Sequence, residues 1–346
     1  MGDRYEPVES PDETTIFAYH DLTPPTLGDV YEARAVVRQH LPRTPLVRSE
    51  FLSRELDADV YLKREDTLPT GAFKVRGGIN LCSQLDDEFT DRGLIAASTG
   101  NHGQSVAYAG RAFDVPVTIA VPEDPNQDKV TAMEHLGATV RSGGRDYDEA
   151  REWAESQAAE HGYRYVHSAN EPALIAGVGT AGLEVLEDLP AVDTVLCPVG
   201  GGSSAAGYCL TVGATGCDVV GIQSTEADAM TQAWRTGSLE PKPSADTYAE
   251  GLQSRVPFAL TVDILRERLT EMRTVGDEAI RDAIRRTLAE EHILLEGAGA
   301  AAIAGALQLK EAVAGDTVVI QLSGRNLAQE KLQQLLTVPP GATSAE

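Results

Sequence analysis

One lysine of this chain lies in a setting that could make its amine reactive. In TGAFKVRGG, residues 70–78, Lys74 follows Phe73 among glycines and apolar residues, whereas the other five lysines lie in charged or proline-bounded stretches. A lysine partly removed from water has a lowered pKa and a nucleophilic amine, which can condense with a carbonyl group. The alternative is a buried lysine stem whose ammonium group reaches water.

A second candidate is the segment STGNHGQS, residues 98–105, which follows the apolar run LIAAS and opens a helical pattern. Its two glycines would let backbone N–H groups converge on a carboxylate or phosphate at a helix N-terminus. Asn101 and His102 add side-chain donors. The alternative is an ordinary N-cap turn in which Ser98 or Asn101 caps the helix.

Two further segments end apolar runs with small and hydroxyl residues. PVGGGSSAAG, residues 198–207, is neither a Walker A loop nor a GxGxxG motif, but its glycines and serines would form a cup of N–H and O–H donors for a phosphate. DTVVIQLSGRN, residues 316–326, presents the Ser323 hydroxyl at the end of a strand. The alternatives are a tight turn for helix–sheet packing and a simple turn residue.

These segments together fit one ligand better than any of them does alone. Pyridoxal 5′-phosphate has a phosphate for the loop at 200–204 and a carbonyl group that Lys74 can condense with. It also has a polar ring substituent for Asn101 and a ring nitrogen for the Ser323 hydroxyl. The residues therefore predict pyridoxal 5′-phosphate as the cofactor.

The elements that must position these residues alternate along the chain. Helices and strands follow one another as 26–41 (helix), 57–66 (strand), 94–98 (strand), 102–113 (helix), 115–122 (strand), 129–137 (helix), 138–143 (strand), 146–162 (helix), 172–188 (helix), 194–199 (strand), a helix from about 203, and 218–224 (strand). Apolar strands separated by helices predict an α/β protein with parallel sheets covered by helices on both faces. Right-handed crossovers then place the strand-to-helix loops along one sheet edge, where such folds bind ligands.

The motifs, in their order, resemble the fold-type II pyridoxal-phosphate enzymes, and most closely the threonine/serine dehydratase (ammonia-lyase) family that also contains serine racemase. The resemblance covers roughly residues 25–335 and rests on LKRED-x-LPTGAFKVRGG (62–78), ASTGNHGQS (97–105), PVGGGSS (198–204), EGAGA (296–300) and LSGRN (322–326). It implies the two-domain α/β fold of the tryptophan synthase β subunit.

The resemblance also implies a role for each matching residue. Lys74 would be the Schiff-base lysine, Phe73 would lie beside the pyridine ring, and Ser323 would meet the ring nitrogen. Asn101 would bind the ring hydroxyl, and the phosphate would be held by Gly200, Gly201, Gly202, Ser203 and Ser204. The substrate carboxylate would be received by the loop residues Ser98, Thr99, Gly100 and His102.

Some positions depart from the family pattern. Thr99 stands where dehydratases usually have alanine, whereas serine racemases have a serine there that acts as the second acid/base. Because threonine also has a hydroxyl, Thr99 is a candidate catalytic residue and racemisation stays open. Gln223 replaces the glutamate through which such racemases bind a divalent ion, which argues against that metal site. Arg325 replaces the second glycine of SGGN, and Ser203 stands where a fourth glycine is more common.

We therefore predict a lyase that performs pyridoxal-phosphate-dependent β-elimination on L-threonine and L-serine, giving a 2-oxo acid and ammonia. The alternatives are an amino-acid (serine) racemase and a dehydratase of another β-hydroxy amino acid such as hydroxyaspartate. A synthase of the same fold has no family-specific support in this sequence. A different class is a non-catalytic nucleotide- or phosphate-binding α/β protein, which predicts no role for Lys74.

Composition restricts the partners and the compartment. The 29 basic and 53 acidic side chains give a formal net charge of −24, and such a surface repels nucleic acid and anionic membranes. No run of about 20 apolar residues and no signal-peptide core is present, so we expect a cytoplasmic protein. An acid-rich, lysine-poor surface would suit a salt-rich cytosol that screens self-repulsion. The expected partners are a small amino-acid substrate and, by resemblance, further copies in a dimer or tetramer.

The sequence predicts no metal site built from the protein. The four cysteines have no zinc-ligand spacing, and the seven histidines form no HxxxH pair. For Cys82, Cys197 and Cys209, which lie in apolar stretches, we expect buried free thiols instead. The expected domains are an N-terminal arm (1–25), a large cofactor-binding domain (26–91 plus 169–335), a small inserted domain (92–168) and a tail (336–346).

Overall fold

The computed structural model describes residues 22–337, so most of the expected N-terminal arm and of the expected tail lie outside the described residues. Ten strands occur in this part of the chain: β1 (Leu46–Arg48), β2 (Asp59–Lys63), β3 (Leu94–Ala97), β4 (Val117–Pro122), β5 (Thr139–Gly144), β6 (Arg164–Tyr165), β7 (Thr194–Pro198), β8 (Asp218–Ser224), β9 (Glu271–Val275) and β10 (Thr317–Gln321).

The α-helices of the same part are α1 (Leu27–His40), α2 (Glu50–Leu56), α3 (Val75–Cys82), α4 (Asp87–Arg92), α5 (Asn101–Ala112), α6 (Gln127–His135), α7 (Tyr147–His161), α8 (Pro172–Asp188), α9 (Ser203–Leu210), α10 (Ala229–Thr236), α11 (Ala259–Arg268), α12 (Asp277–Glu291), α13 (Gly297–Gln308) and α14 (Gln329–Leu336). None of the helices between residues 22 and 337 is long and apolar enough to cross a bilayer.

The chain divides into two compact units. One takes in the described residues up to Leu41 together with Lys74–Val178, and the other takes in Pro42–Phe73 and the described residues from Gly179 onward. The boundary between the units therefore falls inside α8. The expected small domain, 92–168, lies within the first unit, and its assignment as a domain of its own stays a prediction.

The first unit contains a four-stranded sheet in the order β5-β4-β3-β6, with every pair parallel. Helix α7 covers one face of this sheet with the alanines Ala150, Ala154 and Ala158, which pack against Ile95 and Ala120. Spacings of four residues place these small side chains on one face of the helix. Parallel strands buried in this way confirm the α/β class predicted from the alternating pattern.

The second unit contains a six-stranded sheet in the order β1-β2-β10-β7-β8-β9. All its pairs are parallel except that β1 runs antiparallel to β2, and β1 was absent from the predicted elements. The small-residue helix α13 packs into the main core of this unit. A Cβ on Gly305 would overlap the Ile222 side chain, so close helix–sheet packing accounts for much of the run EGAGAAAIAGAL.

All four cysteines are buried free thiols, which confirms the expectation for Cys82, Cys197 and Cys209 and adds Cys217. Burial raises the pKa of the Cys82 and Cys209 thiols to about 12. A thiol with such a pKa is protonated at neutral pH and unreactive. The cysteines therefore contribute packing rather than chemistry.

Candidate active site

Lys74 lies at the N-terminus of α3, directly before its first helical residue. Its backbone carbonyl accepts hydrogen bonds from the Gly77 and Gly78 amides and from the Ser105 hydroxyl, the last at 2.7 Å. Its Nζ donates to the Ser168 carbonyl at 3.4 Å. The lysine backbone is thus fixed by α3 and α5, and its half-buried amine points toward the segment after β6.

The glycines after Lys74 serve helix packing within the first unit. A Cβ on Gly77 would lie 2.9 Å from the Leu174 carbonyl oxygen, and one on Gly78 would lie 2.6 Å from the Ser105 hydroxyl. Both distances are shorter than real Cβ contacts, so α3 approaches α5 and the start of α8 closely only because these positions lack side chains. Two glycines would otherwise weaken a helix by roughly 1 kcal/mol each.

The 98–105 segment forms the turn between β3 and α5. The Ser98 hydroxyl accepts hydrogen bonds from the Gly100 and Gly103 amides at 3.1 and 2.8 Å, so Ser98 does act as a local cap. Thr99 is exposed, and its side chain makes no hydrogen bond to residues 22–337. A Cβ on Gly100 would meet no atom within 4 Å, which leaves open space in front of this turn.

The His102 side chain is buried and directed away from that open space. Its Nε2 lies 3.0 Å from the Val166 carbonyl, which fixes Nε2 as the protonated nitrogen. Burial and the charge of Lys74 lower the pKa of His102 to about 3, so the ring is neutral. Any contribution of His102 to a carboxylate site would therefore come from its backbone amide.

The 198–204 segment joins β7 to α9 in the second unit. Gly202 has φ +86° at the N-cap of α9, a conformation that favours glycine. A Cβ on Gly200 would overlap the Gly251 carbonyl oxygen, and the Thr261 hydroxyl donates to the Gly201 carbonyl at 2.7 Å. Gly251 and Leu252 therefore pack directly against this loop.

The two serines of this loop have different environments. The Ser204 hydroxyl donates to Oε1 of the buried Gln321 at 2.6 Å. The Ser203 hydroxyl, in a residue only 5% exposed, makes no hydrogen bond within residues 22–337. Nε2 of Gln321 also lacks a partner among the described residues. Of the two hydroxyls, Ser203 is the one available to a ligand.

Ser323 follows β10 and is held against the residue that precedes Lys74 in the chain. The Phe73 amide donates to the Ser323 carbonyl at 3.0 Å, and Ala72 forms an antiparallel bridge with Gly324. The Arg325 amide also donates to the Gly71 carbonyl at 2.9 Å. The Ser323 side chain, in a residue 3% exposed, makes no hydrogen bond to the described part of the chain.

These residues fit a phosphorylated pyridine such as pyridoxal 5′-phosphate. The N-terminus of α9, with its glycine loop and the Ser203 hydroxyl, offers donors to a phosphate. The Ser323 hydroxyl offers a neutral partner to a ring nitrogen. Ser203 and Ser323 are largely buried residues whose hydroxyls make no hydrogen bond within residues 22–337, so both hydroxyls can serve a ligand.

Within each unit, the structure brings together residues that the sequence predicted separately. The first unit joins Lys74 to α5 through Ser105. The second joins the 200–204 loop to the strand before Ser323 through Gln321, and Phe73 to Ser323 itself. Ser105, Gln321 and Ser168 were missed, because each acts on a residue distant in sequence through a single polar atom that no local motif marks.

Comparison with known proteins shows the family of this chain. A family model described as pyridoxal-phosphate dependent enzyme matches residues 37–324. L-threonine ammonia-lyase of Thermotoga maritima is 37% identical over 90% of this chain and 78% of its own length, and L-threo-3-hydroxyaspartate ammonia-lyase of Saccharomyces cerevisiae is 32% identical over 90% and 97%. The structure of maize serine racemase is 27% identical, with a TM-score of 0.86 over 91% of this chain and 98% of that one.

Proposed function

The chain belongs to the pyridoxal-phosphate dependent enzymes, and from this we propose that it is a threonine/serine ammonia-lyase. It would convert L-threonine and L-serine to the corresponding 2-oxo acids with release of ammonia. The observation that carries the reaction type is the Ser323 side chain, a neutral hydroxyl without a protein partner in the described chain, at the position proposed for the ring nitrogen. A carboxylate there would keep the ring protonated, whereas a hydroxyl does not.

Bound pyridoxal phosphate supplies an electron sink for the bonding pair of the substrate Cα–H bond, and with a neutral hydroxyl partner that sink is weak. A weak sink favours prompt loss of the β-hydroxyl over a long-lived carbanion. The relative of 37% identity is named as a threonine ammonia-lyase, which supports the same reaction. The net change is the loss of ammonia, with the substrate carbons retained as a 2-oxo acid.

The residues of this chain have the following proposed roles. The Lys74 amine holds the cofactor covalently and, when released, takes the proton from the substrate Cα. The N–H groups of the 98–102 turn receive the substrate carboxylate, and Asn101 binds the ring hydroxyl. The loop residues Gly200, Gly201, Gly202, Ser203 and Ser204 hold the phosphate, with only Ser203 using its hydroxyl.

A second candidate function is racemisation, or elimination from a dicarboxylic substrate such as hydroxyaspartate. Thr99 supports it, because its exposed hydroxyl has no hydrogen bond within residues 22–337 and stands in the turn proposed to bind the substrate. A hydroxyl there could return a proton to the opposite face of Cα. Similarity to a hydroxyaspartate ammonia-lyase and to a serine racemase supports the same alternative.

One assay panel tests these functions together. The purified protein, supplied with pyridoxal phosphate, is incubated with L-threonine, L-serine, D-serine and L-threo-3-hydroxyaspartate, and 2-oxo acid and chirality are followed. The proposal expects 2-oxo acid from L-threonine and L-serine, with Lys74→Ala inactive. Absence of 2-oxo acid from both would refute the ammonia-lyase, and D-serine formed from L-serine at a comparable rate would favour the racemase.

We further propose a cytoplasmic homo-oligomer, a dimer or tetramer. The family resemblance supports this proposal. Light scattering coupled to size exclusion, at low and at molar salt, tests the assembly. A single 36.9 kDa species at all concentrations would contradict it.

A further inference from the structure

The segment between β6 and α8, residues 166–171, is held rigid although it has no regular secondary structure. We call it the 166–171 loop. Glu171 forms two hydrogen bonds of 2.9 Å with the Arg164 guanidinium, and both side chains are buried. Glu171 also accepts from the His167 amide at 3.1 Å. Paired bonds of this kind are strong and directional, so both ends of the loop are tied to one carboxylate.

His167 organises the middle of this loop with its ring. Its Nδ1 accepts from the Ala169 and Asn170 amides at 3.0 and 2.9 Å, so Nδ1 carries no proton and Nε2 carries it. Burial, with the nearby charges of Arg151 and Lys74, lowers the pKa of His167 to about 3. The ring therefore stays neutral and keeps both amides bound throughout the working pH range.

Ser168, at the centre of the loop, is held from both sides. The Tyr147 side chain at the start of α7 interacts with the Ser168 side chain. The neighbours of Ser168 are fixed by the His167 ring, and its own carbonyl faces the Lys74 amine at 3.4 Å. The loop thus directs one backbone acceptor at the one lysine to which the proposed function assigns chemistry.

We propose that the 166–171 loop positions the Lys74 amine. His167 and Tyr147 hold the Ser168 carbonyl in place, and this carbonyl accepts a hydrogen bond from the amine whenever the amine is not joined to the cofactor. The inference rests on the proposed function. When the free amine takes the proton from the substrate Cα, the C–H bond breaks, an N–H bond forms and the electron pair stays with the substrate. The resulting ammonium needs an acceptor, and the Ser168 carbonyl supplies it without a competing negative charge.

A carbonyl acceptor also orients the amine. One N–H directed at Ser168 restricts rotation about the last bond of the lysine side chain, which fixes the direction of the nitrogen lone pair. A base whose lone pair is already aimed loses less entropy on reaching the transition state. His167 and Tyr147 are therefore positioning residues, since they act on Lys74 only through Ser168.

The test compares His167→Asn with His167→Leu in the full-length protein. An asparagine oxygen can accept from amides two and three residues ahead, so His167→Asn should retain the loop, whereas leucine removes the acceptor. The first measurement is the pH dependence of trace labelling of Lys74 by acetic anhydride in the cofactor-free protein, read by peptide mass spectrometry with the exposed Lys310 as internal reference.

His167→Leu should lower the pH of half-maximal Lys74 labelling by about one unit, the effect expected for loss of a hydrogen bond to a charged group. His167→Asn should stay close to wild type. An unchanged Lys74 profile in a folded His167→Leu protein would overturn the proposal, as would equal shifts in both variants.

The second measurement uses the holoenzyme. His167→Leu should lower kcat about tenfold (1.36 kcal/mol per tenfold) with little change in KM, and should increase the kinetic isotope effect of Cα-deuterated serine. If His167→Leu does not fold, Tyr147→Phe, which removes one hydroxyl, should shift the Lys74 labelling profile in the same direction, and no shift would overturn the proposal. The labelling of Lys74 does not require catalysis. If the wild-type protein formed no 2-oxo acid, the proposed function would be refuted, but the labelling profiles would still test the positioning role of the loop.

Discussion

The hydroxyl of Ser204 donates a 2.6 Å hydrogen bond to Oε1 of Gln321, and both residues are buried. A hydroxyl has one proton to donate, so Ser204 uses it to tie the start of α9 to β10. The adjacent Ser203 hydroxyl makes no hydrogen bond within residues 22–337. Ser204 therefore anchors the loop, whereas the Ser203 hydroxyl is available to the proposed phosphate.

Alanine substitutions of the two serines should separate these roles. Ser203→Ala should weaken pyridoxal phosphate binding about tenfold and leave the stability of the cofactor-free protein nearly unchanged. Ser204→Ala should lower the free energy of unfolding by about 1–3 kcal/mol, because it leaves the buried Gln321 oxygen without a donor, and should affect affinity less. Cofactor titration and urea unfolding measure the two effects. The reverse assignment of effects would contradict these roles.

The close approach of Gly251 to Gly200 predicts that no side chain fits at the start of the loop. Gly200→Ala should weaken cofactor binding by more than tenfold, because the new Cβ would push the loop off the Gly251 carbonyl. Gly213→Ala is a matched control, since a Cβ there meets only ordinary contacts at 3.5 Å or more. Equal cofactor affinity in Gly200→Ala and wild type would show that the loop adjusts freely.

The buried pair Lys63 and Glu184 should make a large contribution to the stability of the second unit. Lys63 Nζ lies 2.6 Å from Glu184 Oε2, with side chains 0% and 3% exposed. Glu184→Gln would remove a carboxylate that lies 2.6 Å from the buried Lys63 ammonium, and breaking a buried ion pair costs about 3–5 kcal/mol. Urea unfolding measures the loss. Glu50→Gln, which removes an exposed partner of Arg48, should leave stability unchanged, and a similar loss in both variants would contradict the argument.

His102 and His167 should make the protein sensitive to acid. Burial lowers the pKa of each to about 3, whereas an unfolded histidine titrates near 6.5. The unfolded state therefore binds more protons below about pH 6.5, and stability falls as the pH falls toward 3. Each histidine should remove about 2 kcal/mol between pH 7 and pH 5.

Urea unfolding at several pH values measures this slope. His167→Asn should flatten it, while replacing the exposed His135 by asparagine should not. A wild-type free energy of unfolding that is constant between pH 7 and pH 5 would show that neither histidine is held neutral by the fold.

The elements with strong local patterns could be predicted from the sequence. The strand 218–224 and the helix 172–188 match β8 and α8, because β8 is buried from Val219 onward and both elements have clear ends. Helix α3 was not predicted, since its two glycines lower local helix propensity. The close packing of Gly77 against Leu174 and of Gly78 against Ser105 stabilises α3 despite its low helix propensity. Such tertiary contacts cannot be predicted from the local sequence.

The candidate site shows the same limit. The loops could be found from glycine, serine and asparagine near strand ends, because those residues permit unusual backbone geometry. Their supports could not, since Gly251, Gln321 and Ser168 each act across more than 50 residues through one backbone or side-chain atom. The stretch at 250–252 has no chemical signature of its own, and only its position against Gly200 explains it.

The most direct test of the account is to identify the residue that pyridoxal phosphate modifies. The protein is incubated with the cofactor, reduced with borohydride and digested, and the phosphopyridoxyl group is located by mass spectrometry. We expect the label on Lys74 and none on Lys63. We also expect that a folded Lys74→Ala variant, with the same thermal stability as the wild type, takes up no label and forms no 2-oxo acid. A label on another lysine, or 2-oxo acid formed at the wild-type rate by Lys74→Ala, would contradict it.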